Sequence, residues 1–325
     1  MFVSVIVPTR NRCESLRNAI VSLQRLNYPN GQYEIIVIDN NSTDATPCVV
    51  EECDKQGKEE IVYHKELRDG LHNARHAGAQ IAKGDILAYI DDDVVCDPEW
   101  LSELTRPYTD PKVACVGGKI LPRYETREPE WARYFPHFLS ILDRANEIKK
   151  VNDAGIWGCN FSIRRSVLYD VGGFHPDAMP WGLIRCRGDG ETGLLNKVVE
   201  SEYDVVYTPF ASVTHIIPKE RVTLDYFRKR AFIEGITESY IEIRKNRGML
   251  DLKKRLGFLD SAISGLSEYA AFGKAVYSAG LRYAIYKEID RRYHKKGVLY
   301  HRAEVSNDPK LLEFILRENY FHRNM

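Results

Sequence analysis

Three consecutive carboxylates, Asp91, Asp92 and Asp93, follow directly on the apolar run ILAYI at residues 86–90. Gathered at the end of a buried strand, they repel one another unless a cation or hydrogen-bond donors neutralise them. A hard divalent cation that also holds phosphate oxygens is the economical neutraliser, and a solvated acidic turn is the bland alternative. Two more polar clusters follow apolar runs, Pro8-Thr9-Arg10-Asn11-Arg12 and Asp39-Asn40-Asn41-Ser42. Arg10 and Arg12 could contact a diphosphate or stay surface charges. Asp39 could accept from a base imide or a ribose hydroxyl, or cap the helix that follows. Farther on, Gly188-Asp189-Gly190-Glu191 brings two carboxylates to the start of a helical segment. Such a carboxylate suits a general base for a hydroxyl nucleophile, and equally a helix cap. Arg75, in GLHNARHAG at 70–78, is a candidate phosphate or ribose contact. His72 and His76 have the i, i+4 spacing of metal ligands but lack the Glu of an HExxH site. His215 stands alone, as structural histidines usually do.

The elements that must position these groups alternate. Residues 3–7, 34–38, 61–64 and 86–90 are predicted strands. Residues 15–26, 43–52 and 71–83 have helical apolar spacing, with Ser42 or Thr43 as cap of the second helix and Gly84 closing the third. This order predicts a doubly wound parallel sheet flanked by helices, whose ligands bind beyond the carboxyl ends of the strands. The three polar clusters sit at those ends. Residues 156–163 and 205–208 read as further strands, 192–199 as a helix, and 172–190 as a loop rich in Gly, Pro and Trp. From Lys219 the pattern turns helical, with Ile233, Ile236, Tyr240 and Ile243 on one stripe of 224–243. A domain boundary is placed near Pro218.

The 325 residues balance 46 Lys and Arg against 46 Asp and Glu, which gives no global reason to expect a nucleic-acid partner. Seven scattered cysteines without a CxxC pair argue against a zinc ribbon or a disulfide framework, and for reduced thiols in a cytosolic protein. The first residues lack the basic region and the length of a signal peptide. The longest uncharged stretch, 205–218, is 14 residues, short of the roughly 20 that a membrane span requires. No glycine-rich loop follows the first strand, which removes dinucleotide and P-loop folds and speaks against a nucleotidyltransferase.

Taken in order, VSVIVPTRNR, EIIVIDNNSTDAT, GLHNARHAG, GDILAYIDDDV, GCNFSIRR with VGGF, and GDGETGL resemble the inverting family 2 glycosyltransferases. The resemblance covers residues 1–218 and implies the GT-A fold: a nucleotide-sugar half over 1–95, an acceptor half over 96–218, and a C-terminal helical region over 219–325. It implies transfer of a sugar from a nucleotide-diphospho sugar, UDP-linked in most of the family, to an acceptor hydroxyl in polysaccharide or glycoconjugate synthesis. Pro8, Thr9, Arg10, Asp39, Asn41, Arg75, Asp91 and Asp92 would bind the nucleotide. Asp91, Asp93 and His215 would hold Mn2+ or Mg2+. Asn160, Phe161 and Trp181 would face the donor sugar or acceptor. The family pattern has Glu where Gly188 stands here. Alignment favours Asp189 as the base, and a shifted alignment gives Glu191. A nucleotidyltransferase and a non-catalytic sugar-nucleotide or glycan-binding protein remain the rival readings. The resemblance leaves a homodimer open. Between residues 219 and 255, eleven Lys and Arg face six Asp and Glu. That basic helical region either packs on the catalytic part or lies on the inner face of a membrane near a lipid-linked acceptor.

Overall fold

A computed structural model describes residues 1–57, 59–151, 155–248, 271–272 and 274–321. Its centre is one nine-stranded sheet in the order β3-β2-β1-β4-β8-β6-β9-β5, with β7 paired to β9. The first half is the expected parallel unit. Strands β1 (Val3–Thr9), β2 (Tyr33–Asp39), β3 (Ile61–Lys65) and β4 (Ile86–Ile90) pair parallel. Helices α1 (Cys13–Leu23), α2 (Thr46–Gln56) and α3 (Leu71–Ile81) connect them. Strands β1, β2 and β4 are buried throughout, which is why they read as continuous apolar runs rather than alternating ones.

The second half is mixed. Strands β5 (Val94–Cys96), β6 (Val113–Tyr124), β7 (Lys149–Lys150), β8 (Asn160–Arg164) and β9 (Asp204–Ile217) complete the sheet. β8 runs antiparallel between β4 and β6. Three short helices accompany them: α4 (Trp100–Thr105), α5 (Arg165–Asp170) and α6 (Glu191–Glu200).

Most boundaries shift by a few residues and the strand expected over 205–208 runs on to Ile217; two of the differences have a visible cause. α2 begins at Thr46, not 43, because Asp44 rather than Ser42 or Thr43 takes the first turn: its Oδ1 accepts from the Thr46 N–H at 3.1 Å. The strand expected over 156–163 starts only at Asn160, since Trp157 to Cys159 turn, with the Asn160 N–H donating to the Trp157 carbonyl.

Beyond β9 come α7 (Leu224–Lys245), α8 (Leu281–Asn307) and α9 (Pro309–Ile315). Ile236, Tyr240 and Ile243 are buried. Tyr240 and Ile243 pack with Val305, Leu311 and Ile315, and Phe227 packs with Trp131 and Phe138. The stripe therefore faces protein. Residues 249–255 of the basic stretch lie outside the described residues. Among the described residues no helix is long and apolar enough to cross a membrane.

Helices α7 and α8 meet backbone to backbone. A Cβ added at Gly297 would stand 2.0 Å from the Phe232 carbonyl oxygen, and one at Gly235 equally close to the His294 oxygen. On an exposed helix Gly→Ala stabilises by about 1 kcal/mol. Here Gly297→Ala is expected to destabilise by about 1–3 kcal/mol, the usual cost of overpacking. Denaturant unfolding reads the sign directly, and a stabilised variant would mean the two helices are apart in solution.

Candidate active site

The carboxyl ends of β1, β2 and β4 bring the polar clusters together. Thr9 and Asp39 are register partners across β1 and β2. After β4 the chain passes through Asp91, Asp92 and Asp93 and returns at once as β5. β5 pairs antiparallel with β9, opposing Val94 to His215, and the Ile216 N–H donates to the Asp93 carbonyl at 2.8 Å. The sheet itself thus sets a histidine 122 positions away beside the acidic run. A cleft of about 380 Å³ opens here, within the usual size of a small-ligand site. Its lining includes Pro8, Thr9, Arg10, Arg12 and Asn40 from the ends of β1 and β2, Asp91 and Asp92 from the end of β4, and Met179, Pro180 and Arg221 from later loops.

The three carboxylates are neutralised from several elements. Thr9 Oγ1 donates to Asp92 at 2.7 Å. Arg12 reaches Asp92 at 2.9 Å and Asp93 at 3.0 Å, and Arg221 reaches Asp93 at 3.1 Å. The buried Arg75 lies 3.7 Å from Asp91. Burial dominates at Asp92 and pushes its carboxyl up to about 6, with Arg12 opposing. Burial also raises Asp91. At Asp93 burial is outweighed by the adjacent Arg221 and Arg12 guanidinium groups, which hold this carboxyl well below the usual range.

His215 Nδ1 is 2.9 Å from the Leu139 carbonyl, which can only accept, so the proton sits on Nδ1. Nε2 then presents its lone pair, 3.1 Å from an Arg221 N–H and 3.5 Å from Asp93 Oδ1. That Oδ1 is buried and has no hydrogen-bond partner. Among the described residues no three His, Cys, Asp or Glu side chains converge on one ion position. An orphaned carboxylate oxygen facing an imidazole lone pair nevertheless fits a divalent cation. Such ions commonly take one or two protein ligands and fill the rest from phosphates and water.

The acidic loop divides its two carboxylates. Gly190, at φ +54°, turns the chain into α6, so Asp189 and Glu191 point apart. Asp189 meets His175 Nδ1 at 2.6 Å and its side chain is 5% exposed. Glu191, 16% exposed, accepts from the Gly158 N–H at 3.0 Å and lies 3.5 Å from Arg75, the residue that also faces Asp91. Burial raises Glu191, and Arg75 opposes it. A Cβ at Gly158 would stand 2.3 Å from the Arg75 guanidinium, so a larger residue there would have to push Arg75 aside.

Several expected contacts lie elsewhere. Asp39 is fully buried, accepting from the Ser42 N–H at 2.7 Å and the Tyr63 hydroxyl at 2.6 Å. Asn40, not Asn41, lines the cleft, and Arg75 lies behind it. Arg10 lines the cleft and pairs with Asp69. Asn160 and Phe161, expected against the donor sugar or acceptor, are both fully buried and do not line the cleft. Asn160 accepts from Trp100 Nε1 at 2.8 Å and donates to the Lys119 and Ala211 carbonyls at 2.9 Å each. Phe161 packs on Tyr89 and Phe174. Trp181 is 62% exposed, next in the chain to the cleft residues Met179 and Pro180. His72 and His76 are buried, and burial lowers both, His72 to about 4. His76 accepts from the Phe174 N–H. Sequence reading missed Arg221 and Asn40. Arg221 carries no motif signal, and Asn40 was legible only as a neighbour of Asp39.

The model of the family described as glycosyl transferase family 2 matches residues 4–172. A glucosyl-dolichyl phosphate glucuronosyltransferase of Haloferax volcanii is 26% identical over 253 residues, 75% of this chain and 78% of the relative. A mannosyltransferase of Pyrobaculum calidifontis, solved with GDP-Man and Mn2+, superposes with a TM-score of 0.58 at 17% identity, covering 97% of this chain and 84% of that one. GalNAc-T7, solved with UDP, GalNAc and Mn2+, superposes at 0.54 and 18% identity, covering 80% of this chain and 54% of that one. The shared fold is GT-A, the one expected.

If Asn160 is scaffold, Asn160→Ala strands the Trp100 N–H and two carbonyls. The expected cost is about 3 kcal/mol or more, given about 1–3 for each buried group left unpaired. Nucleotide affinity of the folded fraction should not change. A stable variant with weakened nucleotide binding would return Asn160 to the site.

Proposed function

This chain belongs to glycosyl transferase family 2, and we propose that it moves a sugar from a nucleotide-diphospho sugar to an acceptor hydroxyl with inversion at the anomeric carbon. The observation that carries the reading is the pairing of Asp93 Oδ1 and His215 Nε2 at 3.5 Å beside a cleft whose lining includes Asp91 and Asp92. UDP-sugars are the first donors to try, on the family resemblance. The solved neighbours were obtained with GDP-Man in one case and UDP with GalNAc in the other. A lipid-linked glycoside is the acceptor class supported by the name of the Haloferax relative.

Asp93 and His215, with Asp91 beside them, would hold the divalent ion. When bound, it supplies Lewis-acid stabilisation of the departing diphosphate. Pro8, Thr9, Arg10 and Asn40 form the nucleotide wall of the cleft. Glu191 Oε2 is the better-placed proton acceptor, because it lies on the Arg75–Asp91 side while Asp189 is spent on His175. Burial raises Glu191 and so makes it more basic, with Arg75 opposing, the direction a general base needs. The acceptor oxygen then attacks from the face opposite the diphosphate in a single displacement. No covalent nucleophile is needed. Asp189, locked to His175, fixes the loop from which Glu191 projects.

Chelation, or Asp93→Ala with the fold intact, is expected to abolish transfer, read as nucleoside diphosphate released from a panel of UDP- and GDP-sugars. Full turnover in excess chelator would remove the ion from the mechanism. Glu191→Gln is expected to lower kcat by about 10²-fold or more with nucleotide affinity kept, the usual scale of general acid–base catalysis. Asp189→Asn should lower thermal stability and retain turnover. The reverse pattern would put the base on Asp189.

A further inference from the structure

Arg221 belongs to none of the sequence motifs, yet it touches both groups best placed to hold an ion. It lies on the 3-10 turn Lys219–Val222 that follows β9. One of its nitrogens is 3.1 Å from His215 Nε2 and another is 3.1 Å from Asp93 Oδ2. We propose that Arg221 is a charge latch of the cleft: it bridges Asp93 and His215 in the unloaded protein and passes to the diphosphate when ion and nucleotide enter. The proposal rests on the reading of the cleft given above.

The argument is one of lone pairs and charges. A guanidinium only donates, so it uses the lone pair of His215 Nε2 that an ion would need. Coordination at Nε2 and the hydrogen bond from Arg221 exclude each other. The displacement asked for is that of one side chain: none of residues Lys219–Val222 is buried, and Val222 can keep its packing against the Trp131–Phe227 cluster while the Arg221 side chain swings. The destination is already near, since Arg221 lines the same cleft as Arg10 and Arg12. A diphosphate offers a guanidinium the same bidentate geometry as the carboxylate it would leave.

The charge balance says when the latch opens. Asp91, Asp92 and Asp93 face Arg12, Arg75 and Arg221, and Glu191 shares Arg75, so four carboxylates stand against three guanidinium groups. A divalent cation entering alone adds two positive charges. A nucleotide sugar entering alone adds two negative charges on its diphosphate. Together they leave the balance unchanged. Ion and nucleotide sugar must therefore favour each other's binding reciprocally, and Arg221 sets the starting point of that coupling. Without Arg221 the empty site is one charge more negative, which helps the cation and hinders the nucleotide.

The test is calorimetric titration of the full chain with Mn2+ alone, and with UDP or GDP in saturating Mn2+. Arg221→Met is expected to bind Mn2+ alone about 5-fold or more tightly than the parent, and the nucleoside diphosphate about 5-fold or more weakly, the lower end of coupling between sites. Arg221→Lys, which keeps the charge but not the fork, should fall between. Arg221→Gln serves as a second neutral variant, and circular dichroism melts confirm that each is folded. Unchanged or weaker Mn2+ binding in both neutral variants would overturn the latch, as would unchanged nucleotide affinity. A parent chain that binds neither Mn2+ nor either nucleotide would overturn the cleft reading and the latch with it.

Discussion

The structure is organised by the need to keep three adjacent carboxylates at the end of a buried strand. Side chains of Asp92 and Asp93 are nearly inaccessible, so their charges cannot be left to water. Four elements reach them with a donor. β1 contributes Thr9, the loop after it Arg12, α3 contributes Arg75, and the turn after β9 contributes Arg221. These four come from widely separated parts of the chain, so the acidic run ties the first half of the fold to the last strand. Half-satisfied, such a cluster would be a liability; here the leftover capacity is concentrated in one oxygen, Asp93 Oδ1, facing His215.

The sequence made the parallel half of the fold legible because burial on both faces writes itself as unbroken apolar runs. ILAYI at 86–90 and EIIVI at 34–38 are such runs, and both fall inside strands. The mixed half was less legible. β6 and β9 pair over most of their length with register shifts at Val113/Cys115 and Gly118/Ile120, and such irregular pairing leaves no clean period. The acidic run was visible as chemistry, and so was the location of its partners at strand ends. Arg221 was not, because its role depends on β5 folding back onto β9, a long-range event that no local pattern announces. Asn160 misled in the opposite way. A polar residue in a motif suggests a ligand contact, whereas its three hydrogen bonds hold Trp100, Lys119 and Ala211 in place.

The C-terminal helices bear on the same site from behind. Thr237 Oγ1 of α7 donates to the Gly188 carbonyl at 3.2 Å, and Tyr240 and Tyr320 share a 2.6 Å hydrogen bond beside His175. A Cβ at position 188 would stand 2.7 Å from the Tyr240 ring, which is fully buried, so a larger residue there would have to displace that ring and with it the seating of α7. The glycine at 188 and the docking of α7 are thus one constraint. Tyr240 carries it on through its contact with His175 to Asp189, which His175 engages. Under the proposed reading, that engagement is what leaves the base to Glu191, on the Arg75 side of the loop.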